Sequence, residues 1–288
     1  MSKLIFGCGY LGKRVAKLWQ EAGETVFVVT RSSSRAGELQ SEGFQTLVAD
    51  VTCLETLVNL PAAETVLFAV GYDRAADASI AEVYAGGVKN VLAALPSSVE
   101  RFIYISTTGV YGGADGDWVD ETTPPNPQRE GGKASLAAEQ LLGPNSVILR
   151  LAGIYGPDRI PYLAQLRAGE PIAAPSEGWL NLIHVDEGAK IVLMAEAWTK
   201  LQANGQHVFC VSDGQPVVRG EYYREVARLI GSPVPTFALS PANSPAAARA
   251  SADRRVNNAK LIRSLQIDLA YPSYREGLAA ILNKAESH

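Results

Sequence analysis

Short apolar runs alternate with helix-like stretches along the first half of the chain. KLIF (residues 3–6), TVFVVT (25–30), TLVADV (46–51), TVLFAVG (65–71), RFIYIST (101–107) and SVILRLAGI (146–154) are the apolar runs. Unbroken runs of Val, Ile, Leu and Phe predict strands buried on both faces of a parallel sheet. Between the first two, KRVAKLWQEAG (13–23) sets Val15, Ala16, Leu18, Trp19 and Ala22 on one helical face and stops at a glycine. SIAEVYAGGVKNVLAAL (79–95) reads as a longer helix. This alternation predicts an α/β fold, a Rossmann-type doubly wound parallel sheet.

After Gly156-Pro157 the rhythm loosens. HVDEGAKIVLMAEA (184–197) predicts a helix, GQHVFCVSD (205–213) a strand ending in a turn, and GEYYREVARLIG (220–231) a capped amphipathic helix. Residues 240–255, biased towards Ala, Ser and Pro, predict a long mobile loop. There is no internal repeat. The expected organisation is a nucleotide-binding domain over 1–158 with about 180–200, and a smaller C-terminal substrate-side domain over 159–179 and 201–288.

Composition narrows the function classes. Lys and Arg number 26 against 30 Asp and Glu, a net charge of −4, whereas a duplex-binding surface needs a basic excess. No nucleic-acid partner is expected. No apolar run reaches membrane-spanning length, and MSKLIFGCG is too short for a signal peptide. Cys8, Cys53 and Cys210 lie far apart with no metal or disulfide spacing. A soluble, cytoplasmic protein without metal is the expectation.

Candidate chemistry begins at Gly7-Cys-Gly9-Tyr10-Leu11-Gly12, between a predicted strand and a predicted helix. The first glycine allows a tight turn, the second lets backbone approach a pyrophosphate, and the third permits close helix packing, with the helix N-terminus facing the phosphates. An NAD site usually has an acid after the second strand. Here the sequence is VVTRSSSR (28–35), with no acid. Arg31 offers a planar fork for a 2′-phosphate and Ser32 offers a hydroxyl, so NADP is expected over NAD. Asp50 and Val51 are placed to meet the adenine, and Ala69, Val70 and Gly71 are small enough to let the cofactor cross the sheet edge.

With YISTTGVYG (104–112), DETTP (120–124), RLAGIYGP (150–157), IHVDEGA (183–189), NAKLIRSL (258–265) and YPSYREGL (271–278), the chain resembles the extended short-chain dehydrogenase/reductase superfamily, in its NAD-dependent epimerase/dehydratase group. The likeness covers essentially the whole chain and is closest to an atypical bacterial subgroup. The GxGxxG spacing departs from the GxxGxxG usual in extended members. The resemblance implies a small-molecule substrate such as a sugar nucleotide. It also implies a substrate-oxygen ligand at Thr107 with Ser106 beside it, and a homodimer paired through helices that include 79–95 and 133–142. Arg249, Arg254 and Arg255 lie where relatives often grip nucleotide-sugar phosphates.

The resemblance also implies a Tyr-x-x-x-Lys dyad, which the chain lacks. Aligning Leu136-Ala-Ala-Glu139 with the family's helix ending puts Gly131 at the tyrosine position and Ser135 at the lysine position. None of the eleven tyrosines is followed four residues later by lysine. Lys133 lies about 200° around a helix from either position, though Gly131-Gly132 could delay the helix start and free it. Tyr111 would share a side with Thr107 if extended geometry persisted. Arg129 could supply a positive charge. Asp120-Glu121 reads as an exposed loop, and His184 as a core histidine. Two readings stand: an enzyme whose proton comes from water, from the substrate or from a displaced side chain such as Tyr111 or Lys133, or a non-catalytic NADP-binding redox sensor.

Overall fold

The structure, a computed structural model, describes residues 1–198, 207–238 and 253–285. Most of the predicted loop over 240–255 lies outside the described residues. In chain order the first elements are β1 (Ser2–Phe6), α1 (Gly12–Glu21), β2 (Thr25–Thr30), α2 (Ser33–Ser41), β3 (Gln45–Val48) and β4 (Thr65–Phe68). A π-helical turn (Glu82–Gly86) then leads into α3 (Gly87–Ala94). Next come β5 (Arg101–Thr107), a 3₁₀ turn (Thr108–Tyr111), β6 (Trp118–Val119), α4 (Glu130–Glu139), β7 (Ser146–Leu151), β8 (Gly153–Tyr155) and α5 (Leu163–Ala168). The remainder comprises β9 (Trp179–Leu180), β10 (Leu182–His184), α6 (Val185–Ala197), β11 (His207–Val211), β12 (Val217–Val218), α7 (Arg219–Leu229), β13 (Arg255–Val256), α8 (Ala259–Leu265) and α9 (Tyr274–Ala285).

Seven strands form one sheet in the order β11-β7-β5-β4-β1-β2-β3. β1 pairs in parallel with β2 and β4, β2 with β3, and β4 with β5. The order reverses between β1 and β4, the switch point at which doubly wound sheets bind their ligands. β7 is buried at every position, as the unbroken SVILRL run requires, whereas the edge strand β3 has no fully buried residue. α1 turns Val15, Ala16 and Trp19 inward.

The chain divides into two compact units. The first comprises residues 1–110, 130–150 and 188–209 and the second 111–129, 151–187 and 210–288. The first has a core built from Leu4, Phe6, Phe68, Phe102, Tyr104 and Ile148, with Phe6, Phe68 and Phe102 stacked in sequence. Within it Lys3 is buried on Glu196, whose carboxylate also accepts from Thr65 Oγ1 and Trp19 Nε1. The second has its own core, in which Tyr155, Tyr222, Tyr223 and Tyr274 pack with Ile172, Val226 and Leu278. α7 follows Val218 without a side-chain cap at its N-terminus, and the expected cap lies at its C-terminus, where Gly231 takes φ +66° and Ser232 N donates to Ala227 O. Among the described residues no helix is long and apolar enough to cross a membrane.

A candidate dinucleotide groove and a vacated dyad

The turn from β1 into α1 depends on three glycines that differ in their surroundings. Gly7 has φ +93°, and a Cβ there would lie 2.5 Å from the Ala69 carbonyl oxygen. Ala69 N–H donates to Phe6 O, so the ends of β1 and β4 meet at this point. A Cβ at Gly12 would collide with the Gly7 carbonyl, which allows the helix to start tight against the turn. Gly9 is different, because a Cβ there would meet nothing within 4 Å. Its missing side chain leaves open space rather than relieving a clash. Leu11 is buried at the start of α1, and the Arg14 guanidinium lies over the Tyr10 ring while donating to Tyr10 O.

This turn is one wall of a groove of about 210 Å³ that opens to solvent. Gly7, Gly9, Arg31, Asp50, Val51, Val70 and Gly71 all line it. Tyr10, Leu11, Gly12, Ser32, Ala69 and Ser106 do not. Ser32 instead caps α2, its Oγ accepting from Arg35 N. Arg31 Nη2 is 3.2 Å from Asp73 Oδ2, with both side chains about half exposed. Such an exposed pair is held by about 1 kcal/mol or less, so the fork can turn to another anion. Asp50 Oδ1 accepts from Thr52 N and Thr52 Oγ1. The sequence reading missed Cys8, Arg35, Thr52 and Asp73 as lining residues. Arg35 and Thr52 are near neighbours of predicted ones, but nothing in the sequence marks Asp73. Burial pushes the Cys8 thiol up to about 11, which keeps it an unreactive wall residue.

Beyond the β4 end, the positions of the expected dyad are filled by other chemistry. α4 starts at Glu130 and runs through both glycines. The delayed start that would have freed Lys133 does not occur, and Lys133 is exposed and paired with Glu130 at 2.9 Å. Ser135, at the lysine position, is buried beside the Tyr104 phenol from β5. Burial raises that phenol well above its ordinary value. One turn on, Glu139 is buried, with Ser106 Oγ donating to Oε1 at 2.5 Å. Arg150 from β7 closes on the same carboxylate, Nε reaching both oxygens and Nη2 reaching Oε2 at 2.6 Å. Ser106 is therefore committed to this buried network.

Extended geometry ends at Thr107, contrary to the premise that put Tyr111 on its side. Thr107 Oγ1 accepts from Gly109 N at 3.0 Å and turns residues 108–111 into a 3₁₀ turn. Tyr111 is buried, its hydroxyl 3.1 Å from Cys210 Sγ. Glu121 is not merely a loop acid, since its Oε1 accepts from Cys210 N at 2.7 Å. Arg254 donates to Gly112 O, and burial lowers its guanidinium to about 10, with Arg129 adding to the shift. Arg255 donates to Gly116 O and stacks between Trp118 and Trp179. These two arginines hold backbone and rings. Arg249 lies outside the described residues. His184 is buried between the rings of Tyr155 and Tyr271.

A family model described as NAD dependent epimerase/dehydratase family matches residues 4–209. Protein YeeZ of Escherichia coli is 30% identical over 248 residues, which cover 81% of this chain and 85% of YeeZ. A functionally unknown conserved protein from Silicibacter pomeroyi superposes with a TM-score of 0.80 at 28% identity, over 99% of each chain. UDP-glucose 4-epimerase of Thermotoga maritima, solved with UDP-glucose, has a TM-score of 0.80 at 21% identity. It covers 100% of this chain and 99% of its own, a likeness of fold.

Proposed function

The chain belongs to the NAD dependent epimerase/dehydratase family, and from that premise we propose that it binds NADP(H) and works as a reductase or epimerase on a sugar nucleotide or another small carbonyl compound. The supporting observation is the groove at the switch point, where Gly9 leaves its Cβ space empty beside Gly7 and Arg31. A nicotinamide dinucleotide, when bound, supplies the hydride donor or acceptor. Gly7, Gly9 and Gly12 would shape its pyrophosphate cradle at the start of α1, and Arg31 with the Ser32 turn would hold a 2′-phosphate. Asp50 and Val51 would face the adenine. Thr107 would hold the substrate oxygen.

Without the Tyr-x-x-x-Lys dyad on α4, the proton comes from elsewhere, and loss of a positioned general acid–base typically forfeits about a hundred- to ten-thousandfold in rate. The buried Ser135–Tyr104 pair at the dyad's place favours a second reading, an NADP-binding redox sensor with no chemistry of its own. A sensor must bind the oxidised and reduced forms with different affinities, because equal affinity shifts no equilibrium. The test is titration of purified protein with NADPH, NADP⁺, NADH and NAD⁺, followed by nicotinamide or tryptophan fluorescence. Tight binding of the phosphorylated pair is expected, and binding of none of the four would end both readings. Turnover against a panel of carbonyls, abolished in Thr107→Val with cofactor binding intact, would favour the enzyme.

A further inference from the structure

The helix that follows β4 carries a tyrosine, Tyr84, that no motif singles out. It opens on a capping box, with Ser79 N donating to Glu82 Oε2 and Glu82 N to Ser79 Oγ. It then widens into the π turn Glu82–Gly86 before settling into α3. Downstream of the turn the helix is pulled onto the sheet. A Cβ at Gly87 would lie 2.9 Å from Val51 Cγ2, and Asn90 Nδ2 donates to Val51 O at 2.9 Å. The extra residue lets Gly87, Val88 and Val91 keep their buried register while Tyr84 is set aside from it. Single π turns of this kind occur frequently at functional sites.

Tyr84 stands beside both the groove and the vacated positions. Its phenol lies close to the Tyr72 backbone, and Tyr72 stands between the groove residues Gly71 and Asp73. Its neighbour Val83 lines the same groove. The π turn packs against α4, and Ile80 Cδ1 lies 3.5 Å from where a Gly131 side chain would begin. Tyr84 also adds to the field on Tyr104, the phenol beside Ser135. Of these two phenols Tyr104 is fully buried, whereas Tyr84 is only half-buried.

We propose that Tyr84 supplies the hydroxyl at the nicotinamide end of the groove, contacting the nicotinamide riboside half of the bound dinucleotide from the side opposite Arg31. The inference rests on the dinucleotide reading above. Direction follows from strand order. With the 2′-phosphate at Arg31 after β2, a ligand crossing the switch point extends its other half over β4 and β5, where Tyr84, Tyr104 and Ser135 cluster. A protonated phenol keeps its own O–H to donate. Burial raises the Tyr84 phenol above its ordinary value, so it stays protonated as a donor at neutral pH.

Tyr84→Phe removes the hydroxyl and keeps the ring, and a thermal melt first confirms that the variant folds. Binding is measured for NADPH and for 2′-phospho-ADP-ribose, which lacks the nicotinamide, and in parallel for NADH and ADP-ribose. The expected result is a loss of about three- to tenfold for the dinucleotide, as for one hydrogen bond, with the fragment unchanged. No loss for either, or equal losses for both, overturns the role of Tyr84 and leaves the groove assignment standing. If the wild-type protein binds neither dinucleotide nor fragment, the groove assignment itself fails and this inference falls with it.

Discussion

Two glycines two residues apart make opposite demands on the chain, and they separate stability from binding. Gly7 is required by the fold, since its positive φ and the nearby Ala69 carbonyl exclude any side chain. Gly9 is not, because a Cβ there meets open space. Gly9→Val should therefore melt close to the wild type while abolishing dinucleotide binding, and Gly7→Ala should lose stability outright. Calorimetry on both variants with a parallel NADPH titration checks this, and unchanged affinity in Gly9→Val would refute the pyrophosphate assignment. The glycine spacing was legible in the sequence because each position has one backbone reason. Arg31 was legible only as a charge. Its ion pair with Asp73, a residue 42 positions away, comes from tertiary folding. Arg31→Ala should weaken NADPH binding by about 1–3 kcal/mol, as for a charge-assisted hydrogen bond, while sparing NADH. Equal losses for the two would show that Arg31 does not read the 2′-phosphate.

Among the elements, α4 shows where pattern reading succeeds and where it stops. Its small residues and terminal Glu139 were visible, and so was the absent dyad. The start at Glu130 was not, because helix propensity counts two glycines as breakers, roughly 1 kcal/mol each, and cannot weigh the packing that overrides them. Nor could spacing show that Glu139, Ser106 and Arg150 converge from a helix and two strands. The same limit applied after β5, where a threonine side chain bonding two residues ahead ended the strand that β-propensity would have continued. The buried Glu139–Arg150 pair gives a sharp test. Glu139→Gln leaves a desolvated guanidinium without its counter-charge and should cost about 3–5 kcal/mol in urea unfolding. The double variant Glu139→Leu, Arg150→Leu removes both charges and should recover much of that loss. Equal stability of the single and double variants would mean that the pair carries no mutual compensation.

For the molecule as a whole, the strand–helix alternation disclosed the sheet and its nucleotide edge. The division into two units was harder to see, because the chain leaves and re-enters each one at residues 110, 129, 150, 187 and 209, none marked by a composition shift. The pH dependence of stability was not visible at all. Asp213 read as the turn that ends a strand, and Gln215 N does donate to its Oδ1. Yet the side chain is buried, and Oδ2 has no partner among the described residues. Burial raises this carboxyl from 3.8 to about 7, with Glu276 adding to the shift. A folded-state acid with a raised pKa holds its proton where the unfolded chain has lost it, so the native state binds more protons between about pH 4 and pH 7. Stability then falls as pH rises through that window and levels off above it. At about 1.4 kcal/mol per unit, the charged carboxylate costs the native state up to about 4 kcal/mol at pH 8. Asp213→Asn keeps the acceptor for Gln215 and cannot ionise. It should gain on the wild type progressively from pH 4 to pH 7 and hold a constant advantage above, read from urea midpoints at unit pH steps. Parallel wild-type and variant profiles would show instead that Asp213 ionises at its ordinary pKa in the folded protein.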